Sequence, residues 1–89
     1  MMYPFLQLPD KTEIVHTELL EGERVKVYFE RPMDGGFCSA TCYLPQYDWV
    51  DVSGFNDKDI DCFQELLEST AHLIIRFARE GGFDHAANF

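Results

Sequence analysis

The chain has 89 residues, 46% of them hydrophobic and 26% charged, a size that allows one domain and a mix that excludes a disordered tail. Sixteen Asp and Glu against seven Lys and Arg give a formal net charge of −9. That excess repels phosphate backbones and anionic lipid, so neither nucleic acid nor a membrane is expected as a partner.

The longest apolar run, Leu73-Ile74-Ile75, falls far short of the roughly 20 residues that span a bilayer. Cys38, Cys42 and Cys62 are odd in number and form no CxxC pair. The N-terminus has neither a basic segment followed by an apolar stretch nor a small-residue cleavage site. Both features point to a reducing, cytoplasmic setting. The whole of 1–89 reads as a single domain, and a core this small makes dimerisation a reasonable expectation.

Residues 1–12 hold Pro4 and Pro9 among Tyr3, Phe5, Leu6 and Leu8. Proline disfavours a regular element while the apolar content disfavours a free end, so the segment is expected as an extended arm packed on a surface. Residues 13–20 read as a strand closed by Glu21-Gly22. In VKVYFE at 25–30, Val25, Val27 and Phe29 share one face and Lys26, Tyr28 and Glu30 the other. Pro32 and the hairpin signal Asp34-Gly35-Gly36 are expected to end that strand. FCSATCYL at 37–44 follows, with Cys38, Ala40, Cys42 and Leu44 assigned inward and Phe37, Ser39, Thr41 and Tyr43 outward. Period-2 counting through YDWVDV at 47–52 then sends Val50 and Val52 inward and Trp49 and Asp51 outward.

A helix is predicted from about Asp57 to Glu80. Asn56 is a good N-cap, Asp59 completes a capping box, and Phe55 and Ile60 fit a hydrophobic staple. Apolar residues recur at helical spacing at Ile60, Phe63, Leu66, Leu67, Ala71, Ile74, Phe77 and Ala78, and Gly81-Gly82 supplies the stop. Such a helix is about 36 Å long and strands of six to eight residues only about 20–27 Å, so it is expected to overhang the sheet. A short tail, 83–89, follows. The fold class is α+β: a three- to four-stranded antiparallel sheet packed on one long C-terminal helix.

Chemistry has few footholds. Asp57, Asp59, Asp61 and Glu68 match four positions of a calcium loop, but Cys62 stands where the turn needs glycine, so capping and a solvated acidic face explain them. Cys38 and Cys42 lie about 13 Å apart along a strand, too far to share a disulfide or a metal. His16, His72 and His85 are scattered. Glu68 and His72 read as a helix-surface pair. No catalytic residue, metal ligand or cofactor is assigned.

The outer sheet face is the informative one. The counting sends Tyr28, Phe37, Tyr43 and Trp49 outward together, and Ile75 falls on the otherwise polar helix face. Either the Tyr3–Leu8 arm or the Phe83–Phe89 segment folds across those rings, or they meet a partner, since Tyr and Trp are favoured at interfaces.

The Gly35-Gly36-Phe37 turn, the strand ending Tyr43-Leu44-Pro45, and SGFNDKDIDCFQELLESTAHLI at 53–74 together resemble the HicB-like antitoxin domain over about residues 25–79. The resemblance implies an α+β domain that binds and neutralises a small basic toxin. The chain departs from that pattern in lacking Gly-Cys after Leu-Pro, in its longer helix and in having no DNA-binding segment after Gly81. Its REGGF ending is similar to that of small uncharacterised bacterial proteins. The reading taken is a non-enzymatic, self-associating protein-interaction domain with Tyr28, Phe37, Tyr43, Trp49 and Ile75 at its contact. The alternatives are an antitoxin and a ligand-binding or hydrolytic domain using His72 or the Asp48/Asp51 region.

Overall fold

The structure, a computed structural model, describes residues 2–80. Five strands, β1 (Met2–Gln7), β2 (Glu13–Thr17), β3 (Val25–Met33), β4 (Gly36–Leu44) and β5 (Asp48–Ser53), precede one helix, α1 (Asp57–Arg79). The strands form an antiparallel meander in chain order. The fold class is therefore α+β as expected, with five strands in place of three or four. The Gly81-Gly82 stop and the 83–89 tail lie outside the described residues.

The extra strand is the expected arm. Tyr3 pairs with His16 and Pro4 with Val15, and the register shifts between Pro4 and Leu6. A proline is tolerated here because β1 is an edge strand, with no ladder beyond it that needs the missing N–H. Pro32 does not end β3 for a related reason. The pairing of β2 with β3 runs only from Glu13↔Glu30 to His16↔Val27, so at Pro32 one side of β3 already lacks a neighbour. The Asp34-Gly35 turn closes the β3–β4 hairpin between Met33 and Gly36, with Gly35 at φ 79°.

Helix α1 starts as its sequence predicts. Asn56 accepts from the Asp59 amide at 2.8 Å while the Asn56 amide donates to Asp59 at 3.2 Å. Gly54 lets the chain turn into that cap at φ +88°, where a Cβ would sit 2.7 Å from Cys38 Sγ. Phe63, Leu67, Ile74 and Ala78 are buried against Ile14, Val25, Val27, Phe29, Ala40, Cys42 and Leu44. Removing these side chains from water is the main stabilising term, at about 1.5–3 kcal/mol for each large one.

The helix crosses the sheet rather than running past its end. Near its start, Phe63 stacks on Phe29 with centroids 4.6 Å apart, and Gln64 reaches Trp49 on β5. Near its finish, Phe77 meets Phe5 on β1 at 6.2 Å. The helix thus reaches from the β5 side of the sheet to β1 at the opposite edge. Arg31 ties three segments at one end of the sheet. It reaches Asp10 at 2.8 Å, Thr12 Oγ1 at 2.9 Å and Asp59 at 3.7 Å, and its guanidinium lies over the Phe55 ring.

Candidate functional site

The pairing register fixes which side chains share the sheet face turned away from α1. Pro4, Val15, Tyr28, Thr41 and Val50 stand opposite one another in one row across all five strands. On one side of it runs a polar row of Gln7, Glu13, Glu30, Ser39 and Ser53. On the other side lie Lys26, Tyr43 and Asp48 in register, with Met2 opposite Thr17 and the Thr17 hydroxyl accepting from the Lys26 amide at 3.1 Å.

Two tyrosines dominate this face. Tyr28 is half-buried and its hydroxyl donates to Glu30 Oε1 at 3.1 Å. Burial first, and then the Glu30 carboxylate, raises its pKa. Tyr43 carries the Arg24 guanidinium 4.1 Å above its ring, and Arg24 approaches Asp48 at 4.0 Å. Phe37, one row beyond the acidic one, is 60% exposed at the hairpin tip beside Met33.

Trp49 requires a correction. It faces α1, opposite Cys42, with its ring 5.3 Å from Phe29 and its Nε1 donating to Gln64 Oε1 at 2.8 Å. An indole offers a large apolar area with one polar handle, and here Gln64 satisfies the handle while Phe29 and Phe63 take the ring. Val50 is therefore on the open face opposite Thr41, and Val52 is 44% exposed. Alternation carried on from β4 fails at the turn, where Tyr43 pairs with Asp48 and Cys42 therefore with Trp49; further on, Asp51 and Val52 together oppose Ala40, a bulge in which Asp51 adopts φ 53°. The preceding turn is irregular as well, with a cis Leu44–Pro45 bond and Tyr47 at φ 59°. Ile75 is also corrected: it packs against the buried core from the helix flank instead of standing on a solvated face. A 3.6-residue period brings it beside Ala71 and Ala78, at the margin of the buried stripe.

The remaining candidates do not converge. Asp57, Asp59, Asp61 and Glu68 are all helical, and Glu68 accepts from Gln64 rather than His72. Among the described residues, no group of three His, Cys, Asp or Glu side chains could hold a metal ion. Cys38 and Cys42 are buried and Cys62 is exposed. Burial first, then the Asp48 charge, pushes the Cys42 thiol up to about 12. One hollow of about 390 Å³ lies along the β1–β2 edge around Pro4, Leu6 and Val15, and another of about 430 Å³ is lined by Lys11, Pro32, Met33 and Asp34. Neither is lined by His72, Asp48 or Asp51.

Sequence reasoning passed over His16. It is fully buried on the helix side of β2, its Nδ1 lies 2.8 Å from the Thr17 carbonyl and its Nε2 has no partner. The rings of Tyr3 and Phe5 cover it at 5.8 and 6.4 Å. The available signal was the alternation Ile14, His16, which puts both on one face of a strand. No described helix is long and apolar enough to cross a membrane. No family model, curated protein or solved structure matches the chain.

Proposed function

We propose that this chain is a non-enzymatic protein-interaction domain that self-associates, and that the open sheet face is its contact surface. One observation carries the reading: among the described residues, the sheet has a layer on one side. Helix α1 covers the side bearing Phe29 and Leu44, whereas no element among the described residues covers the row through Val15, Tyr28, Thr41 and Val50. The β1 arm lies within the sheet rather than across it. Tyrosines suit such a surface, since a ring adds apolar area at small entropic cost and its hydroxyl keeps a polar partner.

The proposed contacts are Tyr28 and Tyr43, with Val15 and Val50 beside them and Phe37 at the margin; Trp49 and Ile75 are withdrawn, being packed on the core. An antitoxin would put a small basic protein on this surface. The face carries Glu13, Glu30 and Asp48 against Lys26 and Arg24, a near balance that suits a second copy better than a strongly basic partner. Light scattering from about 10 µM to about 1 mM tests the reading. The native chain is expected to exceed the monomer mass, and Tyr43→Asp to return it to monomer with the helical circular dichroism intact. Monomer mass for both chains rejects it.

A further inference from the structure

The charges on the open face are ordered, and their order restricts how two copies can meet. The uncharged row through Tyr28 lies between the acidic row, with Glu13 and Glu30, and the row holding Lys26 and Asp48, next to which Arg24 sits on Tyr43 and approaches Asp48. Glu30 and Lys26 are both outward on β3, four residues and so about 13 Å apart. Resting on the self-association proposed above, we infer that two copies stack face to face about a two-fold axis lying along the Val15–Tyr28–Thr41–Val50 row.

The choice of axis follows from symmetry. A face-to-face pair of identical sheets has its two-fold axis in the plane between them. An axis along the strands leaves each row above its own copy and sets Glu30 against Glu30 and Lys26 against Lys26. An axis along the central row reverses the strand direction and exchanges the flanking rows. Glu30 of each copy then lies over Lys26 of the other, twice in one interface. Tyr28 meets Tyr28 and Val50 meets Val50, with no charge on the axis, while Thr41 between them is 3% exposed and lies beneath its neighbours. Strands of the two sheets run antiparallel to within about 30°, the usual angle for aligned sheets about 10 Å apart.

The size of the face sets the strength. Five strands about 4.8 Å apart and three rows about 6.8 Å apart cover roughly 500 Å² per copy, hence about 1,000 Å² in all. That is below the standard-size interface of about 1,200–2,000 Å². The dimer is therefore expected to be weak and transient. Long-range repulsion between two acidic chains is largely screened at physiological salt, where the Debye length is about 8 Å.

Sedimentation velocity from about 10 µM to about 1 mM, a range set by the expected weak Kd, tests this with the full chain. Glu30→Lys and Lys26→Glu alone each create two like-charge contacts, and each is expected to raise the dimer Kd about ten-fold or more. An equimolar mixture of the two variants places unlike charges at both contacts, so a heterodimer returns at a Kd near that of the native chain. Far-UV circular dichroism and Trp49 fluorescence check that each variant is folded. Where a reversal unfolds the chain, Glu30→Gln and Lys26→Gln carry the comparison, and both must weaken the dimer. A native dimer lost in Tyr43→Asp, yet unchanged by the charge variants or unrestored in the mixture, rejects the axis and leaves the surface standing. A native chain that stays monomeric throughout, or a dimer indifferent to Tyr43→Asp, rejects the surface and the axis together.

Discussion

The two faces of the sheet are built from the same strands and stabilised by different means. On the helix side, Phe29, Trp49, Phe55 and Phe63 interlock with centroid separations of 4.6 to 6.5 Å, and each ring is positioned by residues from another layer. On the open side, the partners among the described residues are Glu30, two residues along β3 from Tyr28, and Arg24, just before β3, for Tyr43. Packing across layers dominates stability because it removes large apolar areas from water, whereas cross-strand pairs on one face add about 0.2–1 kcal/mol each. The helix side therefore carries the fold.

The sharpest contrast comes from truncating rings. Phe63→Ala removes a 3% exposed ring stacked on Phe29 and is expected to lower stability by about 3–5 kcal/mol, read as a shift in the urea midpoint. A loss below about 1 kcal/mol, the scale of an ordinary surface change, would erase the distinction between the faces.

Acid attacks the helix side through His16. Burial lowers its pKa below the ordinary 6.5, with the Thr17 carbonyl opposing the shift. The unfolded chain binds a proton below about pH 6.5 that the folded chain does not, so the contribution is complete above that pH. It is lost as pH falls towards the folded pKa, by at most about 1.4 kcal/mol per unit. Urea midpoints at pH 7.5 and 5.5 should differ for the native chain and coincide for His16→Phe. Equal slopes for the two proteins would show that His16 is not the group responsible.

Smaller effects lie away from both cores. Asn56→Ala removes the cap that accepts from Asp59 and is expected to cost about 1 kcal/mol, seen as a lower melting temperature with α1 retained. Tyr43→Ala, on the open face, should change monomer stability by no more than about 0.5 kcal/mol. The comparison of faces holds only if that last value stays well below the first.

Much of the architecture was legible where a local rule has a local cause. The α1 start could be read from Asn56 and Asp59 because a capping box closes within four residues. The inward set on β4 could be read because its alternation runs unbroken from Cys38 to Leu44. The fifth strand was not legible, since proline at Pro4 is judged by whether a neighbour needs its N–H, and only the sheet order shows that none does. Trp49 was misplaced because the β4–β5 turn, which pairs Tyr43 with Asp48 and so Cys42 with Trp49, sets its face, and a count of alternate residues does not show where pairing resumes after a turn. Of the contact candidates, Tyr28, Phe37 and Tyr43 stayed on the face their strands predicted, whereas Trp49 and Ile75 moved to the core.

By itself the sequence determined the fold class, the helix with its cap and buried stripe, and the inward faces of the central strands, because periodicity and capping act between residues close along the chain. The tertiary structure alone decided that the N-terminal arm becomes an edge strand, that Trp49 turns under the helix to reach Gln64, and that His16 is sealed beneath Tyr3 and Phe5. Those outcomes depend on which surfaces meet across the sheet, and burial is a property of the assembled layers rather than of any one segment.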